Sequence, residues 1–270
     1  MSELLKITDL KQYFRSGGGV FRRGYVMKAV DGVSLSVNRG ETLGLVGESG
    51  CGKSTLGHTI LKLLEPYDGK IVFEGADITK LSTREMRPLR KEMQIVFQDP
   101  MESLNPRHTV GMILEEPFII HKLGNTIERQ QWVRELLEKV GLPEDSIDRY
   151  PHEFSGGQRQ RIGIARAIAV KPKLLICDES VSALDVSVQA QILNLLLDLQ
   201  AEMNLAIIFI SHDLSVVRHV SDNVAVMKEG KVVEYGTSDE VYKTPKHEYT
   251  KTLLAAIPIT HPKYRSRSIS

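Results

Sequence analysis

The sequence predicts an α/β protein with a parallel central sheet, and three observations carry that expectation. Short apolar runs at 42–47, 94–97, 174–177, 206–210 and 223–227 read as buried strands, with helical patterns between them, the clearest at 186–203. The run 42–47 opens into a glycine-rich loop followed by apolar residues at helical spacing. The run 174–177 ends in two adjacent carboxylates, Asp178 and Glu179. Strands alternating with helices favour a parallel sheet, because the crossover helices cover both its faces.

The remaining elements fall into order around that sheet. Strand-like runs at 6–10, 33–37 and 70–73 have few helical residues between them, as an antiparallel edge sheet requires, and a further run lies at 231–234. Residues 100–148 contain no convincing strand. Ile127, Trp132, Leu136, Leu137 and Val140 share one face of a helix that Gly141 stops. The chain therefore reads as one domain over 1–258. Its core comprises 1–99 and 158–258, interrupted by a helical insertion over about 100–157. A basic, serine-rich tail covers 259–270.

Composition narrows the function. At 270 residues the chain is long enough to bury a large core. With 35 Lys and Arg against 34 Asp and Glu, there is no bulk electrostatic case for a nucleic-acid partner. No apolar run approaches bilayer length, and the start, Met1-Ser2-Glu3-Leu4-Leu5-Lys6, lacks a secretory pattern, so a soluble cytosolic chain is expected. The two cysteines, Cys51 and Cys177, are too few for a disulfide framework or a four-cysteine cluster.

The loop after 42–47 reads Gly47-Glu48-Ser49-Gly50-Cys51-Gly52-Lys53-Ser54-Thr55. Its glycines let consecutive N–H groups turn around an anion, and the helix that follows adds its positive end. Lys53 then reaches the β- and γ-phosphates, and the Ser54 hydroxyl serves as a Mg²⁺ ligand. A strand, this loop and a helix in register imply that the chain binds a nucleoside triphosphate. Asp178 and Glu179 complete the pattern: at the C-terminal edge of a parallel sheet, Asp178 is placed to hold Mg²⁺ and Glu179 to orient the attacking water. Two carboxylates alone more commonly mark a solvated strand end, and the loop at 47–54 is what raises the catalytic reading above it.

Phe154-Ser155-Gly156-Gly157-Gln158-Arg159-Gln160-Arg161 leads into a further helix, and a Ser-Gly-Gly at its start is a second anion-ready N-terminus. Here the chain resembles the ATP-binding subunits of ABC transporters, whose signature reads LSGGQ, with Phe154 in the leucine position. The resemblance covers nearly the whole chain. It implies a P-loop NTPase core, with Gln98 as the Q-loop glutamine contacting Mg²⁺, Ser182-Ala183-Leu184-Asp185 as the D-loop, and His212 as the switch histidine on the γ-phosphate. Tyr13 is the expected aromatic stacking on adenine, with Phe14 as the other candidate. Cys177 and Ser180 stand where the family more often has Ala and Pro, and both are small.

In this family two cassettes enclose two ATP molecules head to tail. The resemblance therefore implies that Ser155, Gly156, Gly157, Gln158 and Asp185 act in trans on the partner's nucleotide. Residues 98–107 and 247–258 resemble the ATPases of oligopeptide, dipeptide and nickel importers, and the spacer at 16–24 fits the second ATPase of such a pair. The expected partners are a second ABC ATPase forming a heterodimer, two integral permease subunits and an extracellular or periplasmic solute-binding protein. The implied location is the cytoplasmic face of a prokaryotic inner membrane, bound peripherally. Di- or oligopeptides are the expected cargo; nickel or another small solute, and a non-transport ABC ATPase, are the alternatives. With no cysteine after Cys177, the C-terminal iron–sulfur cluster of some relatives is not expected.

Overall fold

The computed structural model describes residues 2–16, 25–99 and 103–256. The tail at 259–270, most of the spacer at 16–24, and residues 100–102 of the stretch at 98–107 lie outside them. The strands are β1 (Glu3–Ser16), β2 (Tyr25–Asn38), β3 (Thr42–Val46), β4 (Asp68–Phe73), β5 (Ala76–Asp77), β6 (Met93–Val96), β7 (Leu174–Asp178), β8 (Ala206–Ser211), β9 (Asn223–Lys228) and β10 (Lys231–Thr237). The helices are α1 (Lys53–Ile60), α2 (Thr83–Met86), α3 (Val110–Ile120), α4 (Thr126–Lys139), α5 (Gly156–Ile168), α6 (Val186–Met203), α7 (Leu214–Val220), α8 (Ser238–Lys243) and α9 (Glu248–Ala255).

Two sheets divide the strands. One is antiparallel, in the order β2-β1-β4-β5. The other runs β10-β9-β3-β8-β7-β6; its inner strands pair in parallel, while β10 turns back antiparallel on β9. The parallel central sheet and the antiparallel edge sheet expected from the sequence are both present. The run at 231–234 is the antiparallel edge of the central sheet, since a short turn through Gly230 cannot make a parallel crossover.

Strand alternation sets the layers. On β7 and β8, Leu174, Ile176, Ala206, Ile208 and Ile210 point into one apolar cluster with Leu56 and Ile60 of α1, beneath Leu5, Ile7 and Val33 of the antiparallel sheet. Leu175, Cys177, Ile207 and Phe209 point the other way, into a second cluster with Ile164 of α5, Ile192 of α6 and Val217 of α7. The central strands are thus covered on both faces, which is why they read as continuous apolar runs. Burial pushes the Cys177 thiol up to about 12, so it remains a neutral packing group.

Between β6 and α5 the described residues form α3, α4 and short 3₁₀ turns, with no strand. Val133, Leu136, Leu137 and Val140 are buried against α3 and α5, while Trp132 packs on Phe118 with ring centroids 5.0 Å apart. Ile127 departs from the expected apolar face: at the first turn of α4 it is 79% exposed. That position lies beyond the cover of α3 and α5.

Candidate functional site

The phosphate-type loop folds as it does because its glycines take conformations that side chains resist. Gly52, the N-cap of α1, has φ +108°, and a Cβ there would lie 1.9 Å from the Ala29 carbonyl oxygen. With no side chain to cap it, Gly52 leaves the first-turn amides of α1 available to an anion. Lys53 is buried and its Nζ donates to the carbonyls of Gly47 and Glu48 at 2.8 and 2.9 Å, crossing the mouth of the loop. The same Nζ is 4.0 Å from Glu179 Oε1.

The end of β7 supplies the carboxylates. Ser54 Oγ donates to Asp178 Oδ1 at 2.8 Å, tying α1 to the sheet edge. Burial raises the Asp178 carboxyl above its ordinary value, opposed by the Ser54 hydroxyl and by His58. Glu179 has φ +46°, a left-handed conformation that costs a non-glycine residue about 1–3 kcal/mol. Its N–H donates to the Ile210 carbonyl, and its own carbonyl accepts from Ser182 N–H and Oγ, which holds the turn. The turn aims the Glu179 carboxylate at His212, whose Nδ1 is 3.3 Å from Oε2. His212, just after β8, has a side chain 52% exposed.

Two clefts flank these groups. One, about 350 Å³, lies between Gly47, Glu48, Ser49, Glu179, His212 and Leu253. The other, about 480 Å³, is lined by Ser54, His58, exposed Gln98, Asp178 and neighbours. Of the residues read from the sequence, Gly47, Glu48, Ser49, Glu179 and His212 line the first cleft, and Ser54, Gln98 and Asp178 line the second.

Tyr13 sits beside the loop through β2. Its hydroxyl donates to Asp31, Asp31 N–H donates to the Gly230 carbonyl, and Gly230 N–H donates to the Cys51 carbonyl. Strand alternation turns the neighbouring Phe14 to the opposite face. The Tyr13 ring lies against Tyr67, centroids 4.5 Å apart.

Ser155 to Gln158 and Asp185 form a separate surface. Ser155 caps α5 in a reciprocal box: its Oγ accepts Gln158 N–H at 3.3 Å, and Gln158 Oε1 accepts Ser155 N–H at 3.0 Å. Asp185 caps α6 by accepting Val188 N–H. The two helix starts touch, for a Cβ on Gly157 would lie 2.3 Å from Val188 Cγ1. The lining of both clefts excludes all five residues.

Two groups near the site were not singled out by sequence reasoning. His58 Nε2 lies 3.6 Å from Asp178 Oδ2, and its position four residues after Ser54, on the same helical face, was the available signal. Tyr249 was noticed only within the stretch 247–258, yet its hydroxyl accepts the Glu48 N–H at 3.2 Å. No sequence pattern announces a contact across 201 positions.

The chain matches the ABC transporter family over residues 30–182. It belongs to that family. The cassette also matches the oligopeptide/dipeptide transporter C-terminal region over 233–270. It is 55% identical over 259 residues to the oligopeptide transport ATP-binding protein AppF of Bacillus subtilis, covering 95% of this chain and 79% of the relative. It is 53% identical over 264 residues to OppF of Salmonella typhimurium, covering 96% and 79%. Among solved structures it resembles CbiO1 of Clostridium perfringens, part of the transporter complex cbiONQ, with TM-score 0.79, 31% identity and coverage of 90% and 92%. It also resembles the dimeric ATP-binding cassette MJ0796 bound to ADP and Pi, with TM-score 0.78, 28% identity and coverage of 87% and 99%. The chain is an ABC ATPase.

Proposed function

We propose that this ABC ATPase powers a peptide importer, hydrolysing ATP at Gly47 to Thr55, Gln98, Asp178, Glu179 and His212. The observation that carries the catalytic assignment is the convergence of Lys53 and His212 on the Glu179 carboxylate, with Ser54 and Asp178 joined beside it. The match of residues 233–270 to the oligopeptide/dipeptide C-terminal region, and the oligopeptide transport role of AppF and OppF, support peptide as the cargo.

Lys53 and the first-turn amides of α1 bind the phosphates. Ser54 Oγ, Asp178 and the Gln98 amide present oxygen donors, the chemistry Mg²⁺ selects, so these three residues would hold it. Bound Mg²⁺ supplies charge neutralisation on the phosphate oxygens. Glu179 accepts a hydrogen bond from the attacking water, and His212, fixed against Glu179, donates toward the γ-phosphate. Tyr13, beside the loop, stacks on the adenine.

Ser155 to Gln158 and Asp185 act on the nucleotide of a second ATPase, with which this chain forms a heterodimer. The exposed start of α5 at Ser155 and Gly156, outside the lining of the chain's own clefts, supports that assignment. Among the described residues no helix is long and apolar enough to cross a membrane. Two permease subunits therefore provide the pore, a solute-binding protein delivers the peptide, and the cassette sits peripherally on the cytoplasmic face. Affinity isolation of this chain from detergent-solubilised membranes tests the proposal. Two multi-span proteins, a second ATPase and a solute-binding protein are expected; recovery of the chain alone, or with ribosomes or DNA, overturns the transport role.

A further inference from the structure

The last described helix is fastened to the nucleotide loop. The Glu234 carboxylate of β10 accepts the N–H groups of Lys246 and His247 at 2.8 and 3.0 Å, and His247 Nδ1 accepts Tyr249 N–H at 3.1 Å. These bonds hold the start of α9 and fix its rotation. Tyr249 is thereby buried, with Lys228 Nζ 4.9 Å from its ring centroid.

Its hydroxyl then meets one particular peptide group. The Gly47–Glu48 peptide offers its N–H to Tyr249 at 3.2 Å and its carbonyl to Lys53 Nζ at 2.8 Å. The plane is held from both ends, so it cannot rotate without breaking one of the two bonds. One turn further along α9, Leu253 forms part of the wall of the cleft that contains Glu179 and His212.

We propose that Tyr249 is a positioning residue of the nucleotide site, locking the Gly47–Glu48 peptide and through it the Lys53 ammonium, with Leu253 closing the cleft beside it. The inference rests on Gly47 to Ser54 being the phosphate site. It makes the C-terminal segment part of the ATPase apparatus, because removing the hydroxyl frees the loop even where packing is kept. A role in packing alone predicts otherwise: phenylalanine preserves the ring, its volume and the Lys228 contact, and loses only the oxygen.

The test compares the full chain with Tyr249→Phe. Affinity for MgATP is measured by calorimetry in a Glu179→Gln background, KM and kcat with Glu179 intact, and hydrogen exchange at the peptide containing Glu48. The expected result is a loss of ATP affinity of about 3- to 10-fold, the scale of one net hydrogen bond. It appears in KM with kcat within about twofold, alongside faster loop exchange and an unchanged melting temperature. Unchanged affinity and exchange in a folded variant overturn the proposal. Should Tyr249→Phe not fold, Glu234→Gln, which loosens the start of α9 without touching the hydroxyl, carries the test. A smaller loss of affinity supports the positioning role, and none overturns it. Lys53→Ala separates the two levels: retained MgATP binding there defeats the phosphate-site reading, whereas loss there beside normal binding in Tyr249→Phe defeats only the role of Tyr249.

Discussion

Ser54 Oγ donates to Asp178 Oδ1 across 2.8 Å, joining the first turn of α1 to the end of β7 over 124 positions of sequence. This bond is what makes one site of two motifs. It leaves a buried carboxylate whose burial already favours its protonated form.

Asp178→Asn separates stability from activity. Because burial penalises the charge, the neutral isostere raises the melting temperature of the nucleotide-free chain at pH 7. Hydrolysis falls by about 10²-fold or more, the scale of removing one preorganised electrostatic contact. Calorimetric melting beside phosphate-release rates reads both, and a lower melting temperature refutes the burial argument.

Glu179→Gln keeps nucleotide binding and lowers kcat by about 10²- to 10⁴-fold, the range of a general base. The variant accumulates as an ATP-bound dimer with the proposed second ATPase, seen by sedimentation. Undiminished turnover removes Glu179 from the catalytic role.

Gly157→Ala places a methyl against Val188 Cγ1 and costs about 1–3 kcal/mol by overpacking. Adding Val188→Ala recovers most of that loss, which a double-mutant cycle in urea measures. Equal effects with and without Val188 would sink the contact as the cause.

Glu74 joins the antiparallel sheet to β7. Lys173 lies 2.8 Å from Glu74, and its hydrogen bond, assisted by Arg39, holds the Glu74 carboxyl below its ordinary value. A lowered folded-state value gives stability that is present above the unfolded value near 4.5 and lost as pH falls through the folded one. The melting gap between the natural chain and Glu74→Gln is therefore widest near neutral pH and closes in acid. Partial exposure keeps it to about 1 kcal/mol. A gap that persists unchanged in acid contradicts the ion-pair origin.

On the proposal that Ser155 to Gln158 serve the nucleotide of a second cassette, specific activity of the ATPase rises with its concentration and with that of the partner. Turnover per chain that stays constant down to a demonstrated monomer refutes this division of the site.

Much of the fold and site was legible because local chemistry determines it. The glycines at 47–52, the apolar run into Asp178 and Glu179, and the Ser-Gly-Gly that opens α5 mark a loop, a strand end and a helix start by residue type and spacing. The edge placement of β10 was not legible, since a short apolar run carries no record of strand direction. Exposure of Ile127 was also hidden, because periodicity marks a face without saying how far its cover extends.

The sequence by itself determined that the chain is an α/β nucleotide-binding protein with every motif of an ABC ATPase, because those motifs depend on backbone geometry only a few residues long. Tertiary structure alone decided which groups meet: Ser54 with Asp178, Glu179 with His212, and Tyr249 with the amide of Glu48. Those distances are set by how sheet, helices and the C-terminal segment pack, and packing between residues far apart in sequence leaves no mark in either segment alone.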